Sequence, residues 1–309
     1  MTELVGYLNG EWVPQDSIRI HPFDRGFYVG DAVFDLTRTF GGKSFKMREH
    51  VERLYRSLKY VRIEPDVSLD EMLDLSEEAI RRNEPLREEA GDWHIWQAVT
   101  RGVAGWRQPS TKPTVMIQCF PVPFNIYAAL YKEGGHGVIT RTRSYSPEAI
   151  DPKVKHYSRM NFNLAELEAR DVDPDAWPIM TDSKGNLTEG TAYNVFIVTD
   201  GVIRTPGDTS LLQGVSRGAV AEVAGRLGIP VLYEDLQPYD LYTADEAFIT
   251  NTPMCILPLT SADKRPIGDG QPGPVTSQLL AAWSEWVGLD IVDQAERFAK
   301  KQEGRAILS

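Results

Sequence analysis

The sequence predicts an α+β protein built as two α/β-type domains, on three observations. Its 309 residues exceed what one modest core requires. Short runs of alternating apolar residues are interspersed with stretches of helical spacing in both halves of the chain. Between the halves, Pro121 and Pro123 interrupt the apolar patterning. A smaller N-terminal domain is therefore expected over residues 1–122, a linker over 123–132 and a larger C-terminal domain over 133–309.

The first elements are set by turn chemistry. "GYLNGEWVPQDSIRI" holds two strand-like pieces around Asn9-Gly10, the dipeptide that most favours a tight hairpin. "DAVFDLTRTFGGKSFKM" repeats the arrangement about Gly41-Gly42. "REHVERLYRSLKYVRI" then changes to helical spacing, and a helix over 49–60 places Val51, Leu54 and Leu58 on one face. Ser68 and Glu71 read as a capping box that opens a second helix through "SLDEMLDLSEEAIRRN". "WHIWQAVTRG" and "TVMIQCFPV" complete the first half as strands.

Beyond the prolines, strands are expected at "GVITRTR", "PIMTD", "VFIVTD", "GVIRTP", "PVLYEDL" and "EAFITN". Helices are expected at "SRGAVAEVAGRLG" and "PVTSQLLAAWSEWVG". No internal repeat or low-complexity tract interrupts them.

Composition removes several classes of function. Hydrophobic residues make up 42% and charged residues 25%, the balance of a soluble globular protein. A net charge of −11 argues against a nucleic-acid or anionic-membrane partner, which needs a concentrated basic face. Cys119 and Cys255 are too few for a disulfide framework and lack zinc-ligand spacing, so no metal is expected and a reducing cytoplasm fits. "MTELVGYLNGEWV" has no basic stretch followed by an apolar core, and no run of about 18 apolar residues occurs.

Two stretches could carry chemistry. "EAIDPKVKHYSRMNFNLAELEA" holds Lys153 and Lys155 just before an amphipathic run. A lysine can form a reversible imine with a carbonyl cofactor and then shuttle protons, although a solvated surface charge is its commoner fate. In "LLQGVSRGAVAEV", Gly214 precedes a helix whose first amides, at Val215 and Ser216, have no helical acceptor and form a ready anion site. Ser216 acting as a plain helix cap is the bland alternative. Composition and spacing leave both stretches open.

The combination resembles the class IV aminotransferases, a pyridoxal-phosphate family that includes branched-chain amino acid, D-amino acid and (R)-amine aminotransferases and aminodeoxychorismate lyase. The resemblance is carried by Glu189, Asn194, Val195, Phe196, Ile203, Thr205, Leu212, Gly214, Val215 and Arg217 at fixed spacings. "FDRGFYVGDAVFDLTRTF", "EHVERLYRS", "VTRG" and "GDGQPGPVT" agree in the same order, so it spans roughly residues 6–287. It implies a fold with the cofactor, pyridoxal 5'-phosphate, between the two domains and bound chiefly to the C-terminal one. It also implies a homodimer.

By this resemblance Lys155, not Lys153, is the Schiff-base lysine and catalytic residue. Glu189 faces the pyridine nitrogen and keeps it protonated. Arg53, rather than Arg56, partners the phosphate through its guanidinium fork, with the amides of Val215 and Ser216 and the hydroxyl of Thr252. Tyr28, Phe34, Leu36, Trp106 and Met254 resemble pocket walls. His156 and Arg159 are read as helix-face residues outside the chemistry.

The chain also departs from the family. In "TNTPM", Pro253 has no N–H where branched-chain enzymes present a carboxylate-binding amide. The Asn-Tyr pair those enzymes carry after the lysine is replaced within "KHYSRMNFN", and no histidine follows Arg107 in "TRGVAGWRQPS". Arg38 and Arg107 are the candidates for the substrate carboxylate. The expected activity is transfer of an amino group from a branched-chain or other apolar amino acid, or a related amine, to a 2-oxo acid. Alternatives are a D-amino acid or (R)-amine transaminase, a carbon–oxygen lyase similar to aminodeoxychorismate lyase, and a non-catalytic binding protein.

Overall fold

The computed structural model describes residues 3–105, 107, 108 and 112–302 and contains both helices and sheets, an α+β architecture in two compact units. One unit runs to Pro123 and takes in Val154–Ser158 together with Lys301 and Gln302. The other comprises Phe124–Lys153 and Arg159–Lys300.

The first unit is a six-stranded antiparallel sheet in the order Glu11–Pro14, Val5–Leu8, Thr114–Pro121, Trp93–Thr100, Ala32–Phe40 and Lys43–Ser44. Both hairpin turns form as their sequences require, with Asn9 at φ 51° and Gly10 at φ 102°, and Gly41 and Gly42 at 58° and 82°. Register divides the central strands into two faces. Phe34 pairs with Ala98, Leu36 with Trp96 and Arg38 with His94, so these six share one face. Val33, Asp35, Ile95, Gln97 and Val99 take the other.

The helices Met47–Val61 and Leu69–Asn83 belong to this unit, and Val51, Leu54 and Leu58 join Trp93, Ile95 and Ile117 in its core cluster. The capping box is present. Ser68 Oγ accepts from Glu71 N at 3.3 Å, and Ser68 N donates to Glu71 Oε2 at 2.7 Å.

Two expected boundaries are redrawn. Residues 123–132 are not an open linker, because Phe124, Tyr127, Ala128 and Tyr131 are buried in the second unit. Their spacing is that of a helical stripe, and the short helical turns Phe124–Ile126 and Leu130–Glu133 follow it.

Residues 154–158 also leave the expected C-terminal domain. Lys43–Ser44 pairs only with Thr39 and Phe40, so the near end of Ala32–Phe40 has backbone groups to satisfy. The segment 154–158 does so. Phe34 N donates to Lys155 O at 3.0 Å, Tyr157 N donates to Ala32 O at 3.0 Å, and Val33 bridges His156. Val154 enters the first unit's core.

The second unit carries a nine-stranded mixed sheet. Six of its strands close a circuit in the order Asn194–Thr199, Glu246–Asn251, Cys255–Ala262, Gly135–Ile139, Trp177–Thr181 and Leu187–Gly190. The pairing of Asn194 with Glu189 makes the closure. Phe196 and Phe248, buried register partners on adjacent strands, stack 4.9 Å apart and nearly parallel. The helices Val215–Leu227 and Pro274–Val287 form where expected. The strands Leu187–Gly190 and Cys255–Ala262 go beyond the sequence reading; the second hides behind Pro258, which pairs with Phe248 although it has no N–H.

Candidate active site

In the first unit, the backbone pairing just described fixes Lys155 beside Phe34, with Nζ 4.6 Å from the centroid of the ring. Lys155 N also donates to Ser57 Oγ at 3.2 Å. Ser57, Arg53 and His50 lie at seven- and three-residue spacings along one face of Met47–Val61, and all three are buried.

That helix face meets Asp35, which alternation places behind Phe34. The carboxylate accepts from Arg53 Nε and Nη2 at 2.8 Å each, pairs with His50 Nδ1 at 2.7 Å, and takes Leu36 N at 2.8 Å. Burial opposes ionisation of Asp35, but the Arg53 and His50 partners outweigh it and hold the carboxyl well below the usual carboxylate range. Burial dominates at His50 and lowers its pKa against the pull of Asp35, with the charges of Arg53 and Lys155 adding to the effect. Arg53 is thus a positioned arginine, whereas Arg56 on the same helix is exposed.

In the second unit, Glu189 and Asn194 stand opposite each other on adjacent strands and hold one residue from both sides. Leu212 N donates to Glu189 Oε1 at 3.2 Å, and Asn194 Nδ2 donates to Leu212 O at 2.9 Å. The loop before Val215–Leu227 is therefore fixed at its exit. Arg217 fixes its start, through Asp208 Oδ1 at 2.6 Å and Pro206 O at 2.6 Å. A Cβ at Gly214 would lie 2.2 Å from Asn194 Oδ1, so this close approach requires glycine. Gly214, not Ser216, is the N-cap, and no side chain caps the helix.

The helix Pro274–Val287 supplies the contrast. Its first amides, Val275 N and Thr276 N, donate to Glu246 at 2.9 and 2.8 Å, so a carboxylate of the chain already occupies that end. The uncapped start of Val215–Leu227, with Ser216 buried there, fits the phosphate of a pyridoxal cofactor. The closely approached Gly214 is consistent with the same use.

Thr252 lies two residues beyond Thr250, which pairs with Asn194. The turn that follows is tied down on every side. Tyr127 and Tyr131 hydroxyls donate to Pro253 O at 3.0 Å and Met254 O at 2.7 Å, and Met254 N donates to Asn251 Oδ1 at 2.8 Å. Pro253 has no amide proton and that of Met254 is engaged.

The substrate-side candidates separate. Phe34 is buried next to Lys155, and Leu36 and Arg38 follow it on the same face. Arg38 is buried, with Cζ 3.9 Å above the Phe40 ring and Nε donating to Thr39 O at 3.1 Å. Across from it, His94 is driven down to a pKa of about 3 by burial and by the Arg38 charge. Arg107 is exposed at φ 55°, away from this ladder in sequence. Tyr28 is exposed, Met254 is buried, and Trp106 lies outside the described residues.

Lys153 pairs with Asp151 at 2.9 Å. His156 and Arg159 are not helix-face residues. His156 is buried in its bridge to Val33. Arg159 precedes the helix Met160–Val172, lies 3.8 Å over the Phe162 ring and donates to Thr191 O. Burial lowers its pKa while Glu189 opposes that shift, so the sequence reading missed a cation in the neighbourhood of Glu189.

Comparison with known proteins agrees over most of the chain. Residues 32–262 match the family described as amino-transferase class IV. The chain is 36% identical over 296 residues to a Methanocaldococcus jannaschii protein that bears a branched-chain-amino-acid aminotransferase name, covering 93% of this chain and 99% of that one. It is 29% identical to a D-alanine aminotransferase of Listeria monocytogenes, covering 88% and 92%. The T.th. branched-chain amino acid aminotransferase, solved in complex with N-(5'-phosphopyridoxyl)-L-glutamate, superposes with a TM-score of 0.82 at 26% identity, covering 92% and 94%.

Two outcomes follow from the buried charges. Asp35→Ala leaves the guanidinium of Arg53 buried without its carboxylate and is expected to cost about 3–5 kcal/mol of stability, read from denaturation midpoints. The stability carried by neutral His50 and His94 is complete above the ordinary histidine pKa of about 6.5. It is lost as pH falls below that value, because the unfolded rings take up protons first, by up to about 1.4 kcal/mol per pH unit for each ring. Melting curves at a series of pH values should therefore show a shallower acid decline in His94→Asn than in the parent protein.

Proposed function

The chain belongs to the class IV aminotransferases, pyridoxal-phosphate-dependent enzymes, and on that premise we propose that it moves an amino group from a branched-chain or other apolar amino acid, or a related amine, to a 2-oxo acid, with Lys155 as the catalytic amine. The observation that carries the reading is the fixing of Lys155. Its backbone is paired to Ala32 and Phe34, and its Nζ lies over an aromatic face.

Bound pyridoxal phosphate supplies an electron sink for the pair left when the substrate loses its Cα proton. Lys155 Nζ would take that proton from the substrate Cα and deliver it to the cofactor's C4′, since returning it to Cα would transfer nothing. Glu189 would hold the ring nitrogen in its protonated form, and the clip at Leu212 keeps the carboxylate in place for this. The phosphate would be held by Arg53, by the amides of Val215 and Ser216 and by the Thr252 hydroxyl, with Asp35 orienting Arg53. Phe34 walls the site and Arg38 is the candidate partner of the substrate carboxylate.

A second reading is favoured by one observation. With Pro253 lacking an N–H and Met254 N engaged, the turn offers little to an α-carboxylate, which suits an (R)-amine donor, or a D-amino acid only if its carboxylate is held elsewhere. A panel of L-amino acids, D-amino acids and (R)-amines, with pyruvate and 2-oxoglutarate as acceptors, decides between the readings.

A homo-oligomer, a homodimer in the simplest case, and a cytoplasmic setting belong to the same proposal. Met160, Leu164 and Leu167 form an exposed apolar stripe along Met160–Val172, which a second copy would cover. Neither cysteine forms a disulfide, which suits a reducing compartment.

Borohydride reduction of the holoenzyme is expected to leave the cofactor mass on the peptide containing Lys155. Lys155→Ala should lose activity by about 100- to 10,000-fold or more, and a colourless protein with unmodified Lys155 would remove the proposal. Light scattering after size-exclusion chromatography should give a multiple of the chain mass, reduced by Leu164→Asp with Leu167→Asp; a monomeric parent would contradict the assembly.

A further inference from the structure

Glu189 begins a reversal of the chain that is held from the helix Met160–Val172. Gly190 N donates to Tyr193 O at 2.9 Å and closes the turn. Thr191, within it, is bonded twice. Arg159 Nη2 donates to the Thr191 carbonyl, and the Thr191 hydroxyl donates to Glu166 Oε1. Arg159 is the N-cap of the helix and Glu166 follows seven residues on, so both come to one side of it. Phe162 lies between them, its ring 3.8 Å from the Arg159 guanidinium and edge-on to Tyr145.

The N-cap is a poor place for an arginine that serves only its own helix. The dipole there disfavours positive charge, and the side chain gives the helix no capping bond where Ser, Thr, Asp or Asn would. A cation kept at that position points to a use outside the helix. Glu189 supplies one. It is 6% exposed, and a carboxylate so withdrawn from water keeps its charge when a positive group or strong donors replace the lost hydration. Leu212 N gives it a bond at 3.2 Å, longer than a charge-assisted hydrogen bond prefers. Burial lowers the pKa of Arg159, and the charges of Glu189 and Tyr145 oppose that shift. The attraction is mutual, so what keeps the guanidinium charged also keeps the carboxylate charged.

We propose that Arg159 is a positioning residue for Glu189: it pins the turn through the Thr191 carbonyl and sets a positive charge against the carboxylate, which then stays an acceptor for the protonated ring nitrogen of the cofactor. The assignment rests on the role proposed above for Glu189 and deepens it.

The test uses the protein loaded with pyridoxal phosphate labelled with nitrogen-15 in the ring, so that it reads the nitrogen itself as well as turnover. The parent's resonance should have the shift of a protonated pyridine. Arg159→Gln can still donate to the Thr191 carbonyl but carries no charge. It should move the resonance toward the neutral ring and weaken cofactor binding by about 10- to 100-fold, the span of one hydrogen bond to a charged group. Arg159→Met repeats the loss of charge with a side chain that still packs on Phe162, should the glutamine not fold. Arg159→Lys keeps the charge and should keep the parent's resonance. Glu166→Gln, which leaves an acceptor for the Thr191 hydroxyl, should do the same.

A cycle with Glu189→Gln separates this role from general support of the fold. Added to Glu189→Gln, Arg159→Gln should change cofactor affinity by less than about twofold, because the group it acts through is already gone. Additive losses in the cycle, a neutral variant with the parent's resonance, or an Arg159→Lys protein that behaves as Arg159→Gln would overturn the assignment. A parent that shows the protonated-ring resonance yet turns over no donor would instead count against the transaminase reading and leave Arg159 in its place.

Discussion

The backbone pairing of Val154–Ser158 with the near end of Ala32–Phe40 is the constraint on which the rest depends. A lysine side chain has four rotatable bonds, so its amine is placed only as well as its backbone is. Here two main-chain hydrogen bonds, a bridge at Val33 and a bond to Ser57 fix that backbone, and Val154 secures it in the core. The pairing also satisfies strand groups that Lys43–Ser44 leaves unpaired. The chain gains a sheet edge and a positioned amine from the same bonds.

Elsewhere the molecule settles polar groups by sharing partners. Asp35 serves Arg53, His50 and the Leu36 amide at once, so a buried carboxylate is fully used. Glu189 and Asn194 divide the two backbone groups of Leu212. Gly190 is needed nearby because a Cβ there would lie 1.8 Å from the Tyr193 ring, whose hydroxyl donates to Pro178 O. These arrangements explain the run of Glu189, Gly190, Tyr193 and Asn194 without reference to any ligand. They also leave the helix at Val215 uncapped, in a chain that elsewhere spends Glu246 on such an end.

Much of the fold was legible because it is local. Asn9-Gly10, Gly41-Gly42, the Ser68–Glu71 box and the stripe of Val51, Leu54 and Leu58 each declare themselves within a few residues. What escaped is long-range. That 154–158 joins a strand more than a hundred positions earlier has no local signature, and Pro123 and Pro258 disguised a packed stripe and an interior strand. The roles proposed for Lys155, Glu189 and the glycine-led helix come from the resemblance and not from any local pattern. The Asp35 network was not, although a carboxylate alternating with Val33 and Thr37 in a buried strand signals a buried partner. Arg159 was hidden for the same reason, since only the folded chain brings it near Glu189.

The doubly bonded Arg53 has one more consequence. A guanidinium already held by Asp35 surrenders little rotational freedom when an anion arrives. On the role proposed for Arg53 at the cofactor phosphate, this one side chain would need no rearrangement when the group leaves or returns.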